Sequence, residues 1–413
     1  NVGKYMILPV NRGIVPFVEM DCSVFLGNVL VAGGALLSLD YGCLIVSNTQ
    51  IADHSLVIEG VDPISILAAN VTVVGTQFLW LSSGRDGMAS ATHLITGSVE
   101  AGTGSGSGSG LISVSGSSFV GHAHSWLCWM EPEDVVSVTD SAFVNASVMV
   151  YSGERNASSS SSSPGGVQLN LTATTFSSFV GRRALSVDSN HSDWLPNVTM
   201  TGCSVYSNDN GKASSSALMG VYNGNTISFA AAVMRFEQCV FADNGDMVSM
   251  VEDAQFVADS NTANAVTVEF ADCNFTDNAG TALYHSFGLQ SSTSFVLSGC
   301  IWSNNKVEGN NAKSLAAPSA LIHLHGATGA TGACHDHPGT ITIHDNTMRD
   351  NWFELGLLNV HCFTLSVTES VFESNNESIL SVEQSEVEIA ESTFVGNEQS
   401  HPSSQCMLCL FDA

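Results

Sequence analysis

VEFADCNFTDN, residues 268–278, decides the fold once it is set beside VTMTGCSVYSN (198–208), MRFEQCVFADN (234–244) and FVLSGCIWSNN (295–305). ITIHDNTMRDN (341–351), LSVTESVFESN (365–375) and VEIAESTFVGN (387–397) join the same alignment without a gap. The shared pattern is apolar-x-apolar-x-x-small-x-aromatic/aliphatic-x-x-Asn, with Cys, Ser or Asn in the small slot. Internal repetition of this kind is the signature of a solenoid, in which no single copy can close a core.

Weaker copies precede these. VTVVGTQFLWL (71–81), ISVSGSSFVGH (112–122), VSVTDSAFVNA (136–146) and LNLTATTFSSF (169–179) keep the apolar and aromatic slots and lose the terminal Asn, and two more degenerate copies surround Cys22 and Cys43. The alternation has period two, and Gly, Ser and Asn crowd the turns, so each repeat is read as short strands. A further apolar strand follows most copies, as in MVSMVED, TALYHSF, LIHLHG, LLNVHCF and ILSVEQS. Stacked in parallel at about 4.8 Å, roughly thirteen turns would extend roughly 60 Å.

Slots one, three, six and eight then point inward and form columns. The aromatic column runs Phe78, Phe119, Phe143, Phe176, Val205, Phe241, Phe275, Trp302, Met348, Phe372, Phe394. The Asn column runs Asn208, Asn244, Asn278, Asn305, Asn351, Asn375, Asn397, and is expected at a left-handed corner with its amides bonded from turn to turn. A ligand-binding row of amides is the other reading of that column.

The expected fold is thus all-β, a parallel β-helix occupying 1–413 as a single domain, with degenerate coils over 1–60. The tracts 102–110 (GTGSGSGSG) and 158–166 (SSSSSSPGG) read as low-complexity loops, and 306–340 as a long excursion.

These residues resemble the right-handed β-helix repeat of the pectate-lyase-like superfamily, and in particular the polymorphic outer-membrane-protein (autotransporter passenger) repeats with GG[ALIV] and FxxN signatures. Gly33-Gly34-Ala35-Leu36 is similar to the first, and FADN, FTDN, FESN and FVGN, beginning at Phe241, Phe275, Phe372 and Phe394, to the second. The resemblance covers nearly the whole chain and implies a fold; its members include adhesins, filament proteins and polysaccharide-cleaving enzymes. The sequons and Cys-rich motifs here depart from the bacterial type.

Composition bounds the function. Apolar residues make up 44% and charged residues 12%, so something other than charge must wet the exterior. Eight N-x-S/T sequons, at Asn70, Asn145, Asn156, Asn170, Asn190, Asn197, Asn274 and Asn376, offer glycans for that role. Asn170 and Asn274 fall between inward slots and are expected to face solvent. A net charge of −28 disfavours nucleic acid and anionic lipid as partners, and no apolar stretch is long enough to span a bilayer. The chain opens on Asn1, as a mature or incomplete polypeptide would. An extracellular or cell-surface location follows from the sequons and cysteines together.

The cysteines suggest disulfides: Cys203 with Cys239, Cys273 with Cys300, Cys22 with Cys43 and Cys334 with Cys362, the stacked pairs from their spacing; the alternative for the stack is that its parallel side chains stay reduced for want of the right dihedral. Cys406-x-x-Cys409 lacks a second ligand pair for zinc. His323, His325, His335 and His337, beside Asp336 and His344, form the sharpest polar cluster and a candidate metal site, against solvent-facing histidines as the alternative. Asp243, Asp277 and Asp350 precede corner Asn residues, where Ca²⁺ could gather but solvated charge suffices; no cofactor is required.

Lyases and glycosidases on such a scaffold need a base or paired carboxylates, and no such set is legible, Gly121-His122-Ala123-His124 notwithstanding. The leading expectation is therefore a non-enzymatic structural glycoprotein of a filament, appendage or coat that associates with itself or with other subunits. A polysaccharide-active enzyme and an adhesin binding through its loops are the alternatives.

Overall fold

The computed structural model describes residues 17–26, 29–30, 37–39, 43–52, 55–56, 64–66, 70–79, 111–121, 126–130, 135–146, 148–152, 168–178, 185–189, 197–208, 219–223, 232–244, 248–251, 266–279, 283–286, 293–307, 320–325, 334, 339–353, 356–376, 378–398 and 408–411. Every regular element among them is a β-strand, and every described pairing is parallel. Most of the strands belong to long stacked sheets, the arrangement of a solenoid, and the rest to three two-stranded sheets. Two units are distinguished, Asn1–Ser177 with Ala184–Asn197, and Ser178–Arg183 with Val198–Ala413.

Each motif copy yields two strands, not one. In the copy at 268–278 these are Val266–Ala271 and Asn274–Thr276, separated by Asp272 and Cys273. The break lies at slot five, where the backbone is left-handed in every described repeat, with φ between 48° and 63°. Its occupants are Gly, Asp, Asn, Gln, Glu, Ala and Cys, as at Gly202, Gln238, Asp272 and Glu369. No residue type marks the slot consistently, which is why the sequence pattern did not reveal it.

Registers hold the predicted columns. In the first unit Phe78, Phe119, Phe143 and Phe176 stack with ring centroids 4.6, 4.7 and 5.2 Å apart. The second unit stacks Phe241 on Phe275 at 4.8 Å, Phe275 on Trp302 at 3.8 Å, and Phe372 on Phe394 at 4.7 Å. Apart from Phe394 these rings are buried, so the column combines area burial with the extra attraction of offset rings, about 0.5–1.5 kcal/mol per pair. A second stack, Phe236 on Phe270 at 4.5 Å, occupies slot three.

The apolar strands that follow the motifs form a third sheet. In the first unit it pairs Trp126–Met130, Val148–Ser152 and Leu185–Ser189. In the second it includes Leu283–Ser286, Ala320–His325, Gly356–His361, Leu380–Glu383 and Leu408–Phe411. Ala320–His325 lies inside the expected 306–340 excursion and corrects it: Ala320, Ile322 and Leu324 are fully buried, so part of that segment is core. The tracts 102–110 and 158–166 and the Gly33–Leu36 signature lie outside the described residues.

Candidate functional site

Asparagine ladder. Asn244, Asn278, Asn305, Asn351 and Asn375 are at most 1% exposed. Their amides form a continuous chain: Asn278 Nδ2 donates to Asn305 Oδ1 at 2.8 Å, Asn305 to Asn351 at 2.9 Å, Asn351 to Asn375 at 2.9 Å, and Asn375 to Asn397 at 3.1 Å. The other amide hydrogen goes to the slot-eight carbonyl of the preceding repeat, as from Asn305 Nδ2 to Phe275 O at 3.0 Å. Each Oδ1 also accepts the backbone N–H of the preceding Asn, as Asn305 Oδ1 does from Asn278. Both donors and both lone pairs of an interior rung are therefore used, and no bonding capacity is left for a ligand. The left-handed residue is not the Asn but the one before it: Asp243, Asp277, Asn304 and Asp350 have φ of 54° to 55°. Asp and Asn tolerate that backbone best after Gly, which accounts for the acidic corner residues without a bound ion.

Small-slot column. Slot six is a second polar ladder. Thr76, Ser117 and Ser141 are buried, and the Ser141 hydroxyl donates to Thr139 O at 2.8 Å while accepting the Ser117 N–H at 3.2 Å. In the second unit the slot holds Cys203, Cys239, Cys273 and Cys300, all buried and all thiols, which corrects the expected Cys203–Cys239 and Cys273–Cys300 disulfides. The reason is geometric. Parallel register points the four side chains the same way, and Cys239, Cys273 and Cys300 each find a backbone carbonyl acceptor at 3.4 Å two residues back, as Ser does in this slot. Hydrogen bonds with Cys239 and Cys300, together with burial, hold the Cys273 thiol well above the ordinary thiol range.

The Cys22–Cys43 pair is corrected too: Cys43 starts its strand opposite Phe17, whereas the Cys22 N–H meets Ser47 O beyond the other end of that strand. Neither residue is disulfide-bonded.

Corner of the third sheet. Cys334 and Cys362 form a disulfide, as the sequence suggested, with Cα atoms 5.3 Å apart. Cys362 occupies a left-handed corner (φ 61°) between strands Gly356–His361 and Phe363–Thr368. Its neighbour His361 is half-buried, with Nε2 3.8 Å from Cys362 Sγ. One ligand atom from each of Cys334, His361 and Cys362 lies within 4.8 Å of the others. His361 is in register with His325 on one neighbouring strand and Glu383 on the other, and His323 with Asn359. The predicted histidine cluster thus shares a sheet with His361, which sequence reasoning passed over. The signal was present in the alignment of LIHLH over LLNVH. His335 and His337 lie outside the described residues, and exposed His344 contacts Thr368 Oγ1 through Nδ1 at 3.1 Å.

Sequons. Asn170 alternates with buried Leu169 and Leu171, and Asn274 with buried Cys273 and Phe275; both are half-exposed. The Asn274 amide oxygen is itself shielded from solvent. Asn145 is exposed at a left-handed corner, and Asn197 and Asn376 are half-exposed. Asn70 starts a strand between Cys43 and Leu111, while Asn156 and Asn190 lie outside the described residues. Among the described residues no helix is long and apolar enough to cross a membrane.

No known family profile matches the chain, and no curated protein or solved structure matches it.

Proposed function

We propose that this chain is an extracellular, N-glycosylated right-handed parallel β-helix whose role is structural, as a stacking unit of a filament, appendage or surface coat. One observation carries the reading. Asn305, an interior rung of the asparagine ladder, spends both donors and both lone pairs within the stack, so the polar groups of the repeat serve to join one turn to the next and leave none for a ligand. A chain given over to stacking in this way suits a structural role. The Cys334–Cys362 disulfide fits an oxidising compartment, and half-exposed sequons in strands and corners fit glycans that wet a surface poor in charge.

The test is the assembly state of the full-length secreted protein, by light scattering and electron microscopy over a concentration series. End-to-end association is expected, with glycopeptide mass spectrometry finding sugar on Asn145, Asn170 or Asn274. Monodisperse monomers at all concentrations, with sugar on none of the eight sequons, would overturn the reading. Cleavage of an acidic or neutral polysaccharide would replace it with an enzymatic one. Ligand binding that disappears when 102–110 is deleted would replace it with an adhesive one.

A further inference from the structure

The geometry points to a second state of the Cys334–Cys362 corner, in which the reduced cysteines and His361 form a zinc-binding Cys₂His centre. Two separate pieces of chain supply the three ligands. Cys334 enters from the segment before strand Gly339–His344, His361 ends a strand of the third sheet, and Cys362 is the left-handed corner that follows it. One ligand atom from each lies within 4.8 Å of the others. Zinc bonds thiolate sulfur at about 2.3 Å and imidazole nitrogen at about 2.0–2.1 Å, so tetrahedral ligands stand roughly 3.5–3.8 Å apart. Nε2 of His361 is already 3.8 Å from Cys362 Sγ. The two sulfurs must separate once their bond is broken, and their Cα atoms, 5.3 Å apart, leave room for that within side-chain rotation.

The surroundings favour a metal over a passing proximity. A structural disulfide has no need of an imidazole, yet one is half-buried against this one. The Cys362 N–H is fixed to Glu383 O at 3.2 Å, which holds the corner, and register places His325 and exposed Glu383 on the strands flanking His361. The Glu383 carboxylate, or water, can supply a fourth ligand. Two thiolates and an imidazole select zinc or a softer ion over calcium or magnesium.

The chemistry balances with a phosphine as reductant. The phosphine donates its electron pair to one sulfur, the S–S bond breaks with the other sulfur leaving as thiolate, and water delivers an oxygen to phosphorus and two protons to the sulfurs. The products are two thiols and one phosphine oxide. Zinc binding then displaces both thiol protons.

The full-length chain is compared before and after phosphine treatment, with the phosphine removed under anaerobic conditions and cobalt(II) used as the spectroscopic probe before displacement by zinc. Reduced protein is expected to bind about one more equivalent than untreated protein, with a thiolate-to-cobalt charge-transfer band and tetrahedral d–d bands that zinc abolishes. Cys334→Ser/Cys362→Ser, treated identically, is expected to lack that equivalent, which separates it from any contributed by the other cysteines. His361→Ala is expected to weaken binding at least tenfold and shift the d–d bands. Equal binding by untreated and reduced wild type overturns the proposal, and because that comparison uses one polypeptide it stands even if a variant fails to fold. Band positions and affinity unchanged in His361→Ala would overturn it as well.

Discussion

Replacing Asn305 with Ala removes an interior rung whose amide makes four hydrogen bonds. The amide accepts from Asn278 N–H at 3.2 Å and from Asn278 Nδ2 at 2.8 Å, and donates to Phe275 O at 3.0 Å and Asn351 Oδ1 at 2.9 Å. Asn351 Oδ1 keeps one donor, the backbone N–H of residue 305 at 3.0 Å. Two donors on Asn278 and the Phe275 carbonyl are left without these partners in a region where Asn278 and Asn305 are at most 1% exposed. At about 1–3 kcal/mol for each buried polar group deprived of its bond, and with some relief if water enters the vacated space, the cost is roughly 3–6 kcal/mol. Asn397→Ala removes the equivalent bonds to Asn375 and Phe372, but Asn397 is half-exposed and water can replace them, so about 1 kcal/mol is expected.

Repeat proteins need not unfold in one step, so global denaturation is paired with native-state hydrogen exchange at the Asn278 and Asn375 amides. The Asn278 amide is expected to exchange about a hundredfold faster or more in Asn305→Ala, a change worth roughly 3 kcal/mol. The Asn375 amide in Asn397→Ala is expected to change by about tenfold or less. Equal destabilisation by the two substitutions, or an Asn278 amide that keeps its protection, would show that the ladder is not what holds the corner.

Trp302→Ala, at a fully buried ring stacked on Phe275, is expected to cost about 3–5 kcal/mol by denaturant unfolding, whereas Trp302→Phe, the residue of most neighbouring rungs, costs less than half of that. Cys239→Ser is expected to change stability by less than about 1 kcal/mol, because a hydroxyl serves this slot in the repeats of Ser117 and Ser141; a loss above 3 kcal/mol would show that the thiols do something Ser cannot. Gly202 has φ 60° and open space where a Cβ would stand, so Gly202→Asp, the residue at the equivalent Asp272 and Asp345, is expected to stay within about 1 kcal/mol, while Gly202→Val costs more.

The inward half of the pattern was legible because burial constrains it: an apolar side chain in slots one, three and eight must meet its equivalent about 4.8 Å away, and period two leaves no other face for it. Slot eleven was legible for a related reason, since an amide ladder requires Asn at each rung. What the pattern concealed were the left-handed slots five and ten. Their requirement is on backbone torsion, which Gly202, Gln238, Asp272 and Glu369 satisfy with unrelated side chains. His361 was missed because its significance comes from Cys334, 27 residues earlier, and from the corner at Cys362, neither of which is related to it by the repeat.

The thiol column shows why residue identity misleads where slot chemistry does not. Four cysteines at one slot in consecutive repeats invite pairing, and their Cα spacing permits it. Yet the slot asks for something else: a small side chain with a hydrogen to give to a carbonyl two residues back. Thr76, Ser117, Ser141 and Ser370 answer that with hydroxyls, and Asn346 with its amide, which donates to His344 O at 2.9 Å. A disulfide between adjacent rungs would withdraw both S–H donors and leave two carbonyls without them. Where a disulfide does form, Cys362 stands at the left-handed corner after His361 and not in the small-slot column, so the bond withdraws no donor from that column.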